Sequence, residues 1–318
     1  MNDLFAVVML LGIYSLLSAS FFVAMDAVDV AFTEAAVGAG ISTLLMLVVI
    51  TMTGRKENTK RHKPFLALIV VIFTGGLLLY GTFDIPHFGS ADSPIHNHVT
   101  PRYINDSINE IGIPNIVTSV LASYRAFDTF GEVVVIFTAG IGIMALLSVA
   151  HHSEDNHKIA AVNDSMHERY LVIRIVSKIL IPFILLFALY VQFHGDFGPG
   201  GGFQAGVIFA AGIILYSMLF GLSITRKVIS QPFIQIISAV GVLLYGSVGL
   251  VSLLQGGNFF DYNVLLTDPV AGQHLGILLI ELGVGCTVTS VMIMIFFNFA
   301  ERRELQQHNN IHNKDLES

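Results

Sequence analysis

The chain has 318 residues, 54% of them apolar and only 12% charged, and its mean hydropathy is +0.73. Water-soluble domains carry about a quarter charged residues, so this balance excludes a cytosolic enzyme, a nucleic-acid binder and a disulfide-stapled secreted domain. The net charge of −7 decides little, because membrane orientation follows the placement of Lys and Arg and not the total. The single cysteine, Cys286, closes no internal disulfide and builds no thiolate metal site. It reads as a small buried apolar side chain.

Runs of about 20 apolar residues span a bilayer as helices. They are predicted near 4–24, 27–53, 65–84, 130–150, 171–192, 203–223, 233–254 and 274–298. The start, MNDLFAVV, lacks a basic leader region, so no cleavable signal is expected. The runs are continuous and too long for barrel strands. The expected fold is an all-α integral membrane protein with about eight transmembrane helices plus an outer amphipathic helix.

The connections carry an uneven charge. Arg55, Lys56, Lys60, Arg61 and Lys63 follow the second span, Lys158, Arg169 and Arg174 the fourth, Arg226 and Lys227 the sixth, and Arg302, Arg303 and Lys314 the eighth. The other side shows only Arg102 and Arg125. The positive-inside rule then puts both termini in the cytoplasm of a multi-pass cell-membrane protein. Residues 85–129 exceed a simple connector. Their second part repeats apolar residues at helical spacing (Ile113, Ile116, Val117, Val120, Leu121, Tyr124), which predicts an amphipathic helix at the outer face. The polar stretch 151–170 reads as a cytoplasmic linker between two four-span modules, 1–150 and 171–300, and 301–318 as a polar, disordered cytoplasmic tail.

Ionisable residues at membrane depth are costly and functional by default. The second span holds Asp26, Asp29 and Glu34 on one broad face. Asp26 reads as an interfacial acid favoured by the helix dipole. Glu34 lies about 12 Å further in and is read as a proton or cation group. The small residues 35–40 read as packing. In the fourth span Arg125, Asp128 and Glu132 form one stripe, either an ion pair at the interface or an ion-handling set. Glu281 falls about 11 Å inside the predicted eighth span with no basic residue near it in its own helix. Lys178 is a further deep candidate, with snorkelling to the surface as the other reading.

The connection QFHGDFGPGGGFQAG contains His194, Asp196, Pro199, Gly200, Gly201, Gly202 and Phe203. A helix precedes it where a dinucleotide fingerprint needs a strand. It reads as a re-entrant or tightly folded outer loop with carbonyls available to a cation, or as a packed turn. No cofactor and no fixed metal site are expected, although a cation could pass near Glu34, Asp128 and Glu132.

The second half resembles the B-type component of the Mrp/Mnh multisubunit Na⁺/H⁺ antiporters, through HGDFGPGGGFQAGV at 194–207 and GILLIELGVGCTVT at 276–289. The first half resembles the C-terminal part of the large A-type component of those antiporters, and small subunits of membrane-bound hydrogenases, through DVAFTEAAVGAG at 29–40 and YRAFDTFGEVVV at 124–135. It begins at what would be that pattern's second helix. The resemblance implies a non-enzymatic subunit of a complex that exchanges cytoplasmic Na⁺ for external H⁺. It also implies large antiporter-like and small membrane subunits as partners, within lipid and with no nucleic acid. Two other readings stay open: a scaffold with no ion path of its own, and a membrane-arm subunit of a hydrogenase-like redox complex.

Overall fold

The computed structural model describes residues 3–57, 64–87, 89–147 and 171–317. The expected linker 151–170 and the basic residues Lys60, Arg61, Lys63, Lys158 and Arg169 lie outside them. Among the described residues eight helices are long and apolar enough to cross a membrane. They are α1 (Leu4–Ala24), α2 (Val28–Thr53), α3 (Pro64–Gly81), α4 (Ala126–Leu147), α5 (Leu171–His194), α6 (Gly202–Phe220), α7 (Gln231–Leu254) and α8 (Pro269–Glu317).

Two boundaries shift from expectation. Helix α4 begins at Ala126 and not near 130, so its first turn contains Asp128. Helix α8 starts at Pro269 and continues to Glu317, so the stretch expected to be a disordered tail prolongs the helix. Its residues (ERRELQQ and beyond) are mostly good helix formers, and no Pro or Gly interrupts them.

The core sits in the second half. Helices α6, α7 and α8 contribute most of the fully buried side chains, among them Tyr245, Ile214, Ile277, Val288 and Phe297. Close approach depends on small residues: a Cβ added at Gly241 of α7 would lie 2.6 Å from the carbonyl of Gly283 on α8. Lipid gives little hydrophobic drive for helix association, so such tight backbone packing is how membrane helices gain contact. By contrast none of the described side chains of α3 is buried, with Phe73 67% and Leu78 69% accessible.

The long connection before α4 forms short helical turns at Pro94–Asn97, Thr100–Asn105, Ser107–Glu110 and Ile116–Thr118, the last running into a π-turn over Ser119–Tyr124. Of the apolar stripe expected from the sequence, Ile113 is fully buried and Val120 and Tyr124 are half-buried. Thr118, Ser119 and Ala122 face inward, whereas Ile116, Val117 and Leu121 are exposed. Two buried tyrosines anchor this region to the second half. The Tyr245 hydroxyl donates to the Ala126 carbonyl at 2.8 Å and the Tyr262 hydroxyl to that of Ala122 at 3.0 Å. A π-turn, with more residues per turn than an α-helix, also occupies Ala35–Ser42 of α2, directly after Glu34. Such turns collect at functional sites.

Candidate ion-binding cavity

The glycine-rich loop folds back on the helix it leaves. The N–H of Gly201 donates to the carbonyl of Val191 in the last turn of α5, at 3.0 Å. Gly201 has φ +109°, a conformation side chains resist. The following residue opens α6 deep against α8. A Cβ at Gly202 would overlap the carbonyl of Glu281, and one at Gly201 would lie 2.9 Å from a Glu281 carboxylate oxygen.

This packing places main-chain donors beside acids. The N–H of Gly202 donates to Glu281 Oε2, and the N–H of Gly200 donates to Asp29 Oδ1 at 3.3 Å. Glu281 therefore finds its partner at the N-terminus of a neighbouring helix, where free N–H groups and the helix dipole favour negative charge. Among the described residues no Lys or Arg forms an ion pair with either acid. Three of the loop carbonyls expected to be available to a cation accept hydrogen bonds from the 115–118 turn. Gly195 O accepts from Thr118 Oγ1 at 2.7 Å and from Asn115 Nδ2 at 3.1 Å, Gly198 O from Asn115 Nδ2 at 3.0 Å, and Asp196 O from the N–H of Asn115 at 3.1 Å. The loop turns its N–H groups inward and gives these carbonyls to the 115–118 turn.

Asp29, Glu132 and Glu281, from three different helices, line one cavity of about 280 Å³, together with Thr33, Thr118, Thr129, Gly200, Phe203 and Gln204. Gln204 Nε2 donates to Thr33 Oγ1 at 2.8 Å, which ties α6 to α2 beside the acids. Glu132 is exposed at the cavity edge. Among the described residues no three His, Cys, Asp or Glu side chains converge to hold a metal ion. The three acids line one cavity.

The other sequence candidates fall elsewhere. Glu34 turns toward α1: a Cβ at Gly38 would meet both Glu34 Oε1 at 2.8 Å and Ser15 Oγ at 2.5 Å. Asp128 pairs with Arg125 at 2.5 Å, both side chains more than half exposed. That pair does not include Glu132. Lys178 is exposed, with Nζ 5.5 Å above the ring of Phe220 at the far end of α6. From Gly202 to Phe220 is about 27 Å of helix, so Lys178 is remote from the acids. His194 stacks on Tyr190 at 4.9 Å between ring centroids. Asp196 faces His274 Nδ1 at 3.6 Å, and burial raises its carboxyl pKa against the pull of that imidazole. Pro199 holds the loop between Gly198 and Gly200 and is not among the cavity-lining residues.

Sequence reasoning missed Asn115, Gln204, Thr33 and Thr118. The only available sign was Asn115, a capping residue directly before an apolar run. Its side chain does accept from Val117 N at 3.0 Å.

Fold and site together define a polytopic helical membrane protein with acids held by main-chain donors beside a loop. The family model described as "Domain related to MnhB subunit of Na+/H+ antiporter" matches residues 172–294, and the MBH-subunit models MbhD and MbhE match 1–55 and 68–162. A "Putative antiporter subunit mnhB2" of Staphylococcus aureus (strain Newman) is 30% identical over 141 residues, covering 43% of this chain and 99% of the relative. The chain belongs to the MnhB-related family of Na⁺/H⁺ antiporter subunits. A probable K⁺/H⁺ antiporter protein of the combined A/B type, from Rhizobium meliloti (strain 1021), is 24% identical over 332 residues, 93% of this chain and 32% of the relative. The fold matches a chain of the Mrp complex from Dietzia sp. DQ12-45-1b with TM-score 0.70 and 24% identity, over 94% of this chain and 33% of that one. The chain thus spans about a third of the length of the Rhizobium and Dietzia proteins.

Proposed function

We propose that this chain is an integral membrane subunit of a multisubunit monovalent cation/proton antiporter, in which Asp29, Glu132 and Glu281 line a segment of the ion route. The observation that carries the reading is their convergence on one cavity while main-chain N–H groups hold Asp29 and Glu281. An acid compensated by N–H groups and not by a fixed Lys or Arg can still be neutralised by a mobile proton or cation. Proton and cation compete for the same negative oxygens, and that competition is the elementary step of exchange. Glu34 lies about 7.5 Å further along α2, at the start of the π-turn, and faces α1 outside this cavity. Asp128, held by Arg125, serves the mouth of the route.

The same reading puts the protein in the cell membrane with both termini cytoplasmic, Na⁺ leaving and H⁺ entering. The partners are large antiporter-like subunits and small membrane subunits. Residues 1–150 act as the A-like module and 171–300 as the B-like module, with the cavity drawing Asp29 and Glu132 from the first and Glu281 from the second. The Rhizobium relative is named for K⁺ and the family model for Na⁺, so the cation is given as monovalent.

Antiport in everted vesicles tests the reading. Asp29→Asn, Glu132→Gln and Glu281→Gln keep volume and remove charge. Each is expected to lower exchange at least about tenfold, the effect of ~1.4 kcal/mol, while the complex still assembles. Exchange that survives all three assigns the ions to partner subunits and leaves this chain as scaffold. The matches to the MbhD and MbhE models favour the redox membrane arm as the second reading. Isolation of the complex with redox subunits and without antiport activity would select it.

A further inference from the structure

We propose that Asn115 is a positioning residue of this site, whose side-chain amide couples the charge on Asp29 to the seating of the glycine-rich loop. The inference rests on the reading of Asp29 as an ion-exchanging acid. The orientation of the amide is fixed from two sides. Its Oδ1 accepts from Val117 N at 3.0 Å, and the main-chain N–H of the same residue donates to Asp196 O at 3.1 Å. Nδ2 therefore faces the loop, where it meets three acceptors: Gly198 O at 3.0 Å, Gly195 O at 3.1 Å and Asp29 Oδ2 at 3.4 Å.

An amide nitrogen has two N–H donors, so the three acceptors cannot all be served in full. The division depends on charge. An ionised carboxylate draws a donor about twice as strongly as a neutral carbonyl does. With Asp29 ionised, one N–H leans toward it and a loop carbonyl is served less. Once a proton or cation neutralises Asp29, both N–H groups settle on Gly195 and Gly198. Gly195 O also accepts from Thr118, so Gly198 is the carbonyl whose bond varies. Two residues on, Gly200 N–H reaches Asp29, and Gly202 N–H reaches Glu281. A shift of the loop at Gly198 therefore alters the donors on both acids. Occupancy at Asp29 is felt at Glu281 without direct contact between them, a coupling in the thermodynamic sense.

The test uses the full chain in its assembled membrane complex. Amide hydrogen exchange of residues 195–202 is measured with and without Na⁺ or K⁺. Asn115→Ser is made beside it, since Ser retains the helix cap but lacks the forked amide. In the wild type, saturating cation is expected to slow loop exchange by about threefold or more. In Asn115→Ser that response disappears. The apparent KM for the cation rises on the order of tenfold, as for loss of a hydrogen bond to a charged group, with kcat held within about twofold. Loop exchange indifferent to cation in the wild type overturns the proposal, and this arm decides alone if the variant does not assemble. So does a variant with unchanged KM and an intact cation response. Asp29→Asn separates the two levels. If it leaves antiport unchanged, the ion-site reading fails. If it abolishes antiport while the Asn115 results are negative, only the positioning role fails.

Discussion

Gly202 has no room for a methyl group: its added Cβ would overlap the Glu281 carbonyl and lie 2.9 Å from the Gly285 nitrogen, both main-chain atoms that cannot swing aside. Overpacking of this kind costs about 1–3 kcal/mol or more. Gly202→Ala is expected to reduce the assembled complex at least about fivefold on a native gel and to release Glu281 from its donor. Gly142→Ala on α4 meets nothing within 4 Å and is expected to be neutral or slightly stabilising, as Ala is the better helix former. Equal assembly of the two variants would refute the tight α6–α8 contact. At this scale the sequence was informative where a residue type violates its surroundings. Glu281, Asp29 and Glu132 are acids in apolar runs, and physics alone marks them. Asn115 and Gln204 could not be found that way. They are ordinary polar residues, and their importance comes from partners 86 and 171 positions away in the chain. Lys178, read as a deep candidate or a snorkelling side chain, lies over the Phe220 ring, a placement that its depth in the sequence does not reveal.

The loop 195–202 behaves as one element, and its acid Asp196 gives it a pH signature. Burial raises the Asp196 carboxyl pKa, with His274 opposing. Between its ordinary and its raised value the folded chain then binds more protons than the unfolded one, so stability falls as pH rises through that window. Asp196→Asn should leave the thermal stability of the purified complex at neutral pH unchanged or higher and flatten its dependence in the acidic range. A variant less stable at neutral pH would mean that the pairing with His274 dominates. Helix positions were largely legible because continuous apolar length is a strong signal. The π-turns and the inward face of 116–124 were not, since a change in residues per turn rotates the buried side away from part of the stripe that a regular helix would present.

At the scale of the whole molecule, the site forms where the two halves meet: Asp29 from α2 accepts from Gly200 of the loop between α5 and α6. The first half contributes little buried core, and none of the described side chains of α3 is buried. Such an apolar helix is stable only against lipid or a partner. Leu78→Asp, at a position 69% accessible, would be nearly neutral on a water-facing helix. In a membrane span it is expected to cost ~3 kcal/mol and to reduce insertion, read by protease accessibility of the flanking loops. Undiminished insertion would place α3 outside the bilayer. The modular resemblance of both halves was readable from short motifs. Their junction was not, because nothing in either motif shows that an acid of one is held by the backbone of the other.

Uptake of the exchanged proton or cation by the cavity acids is tested most directly by carbodiimide labelling of the purified complex, mapped by mass spectrometry. A bound cation shields a carboxyl from such reagents, so labelling of Asp29, Glu132 and Glu281 is expected to fall as Na⁺ or K⁺ is raised, while labelling of Asp128 does not respond to the cation. Labelling that is absent from all three, or that ignores the cation, would contradict the account.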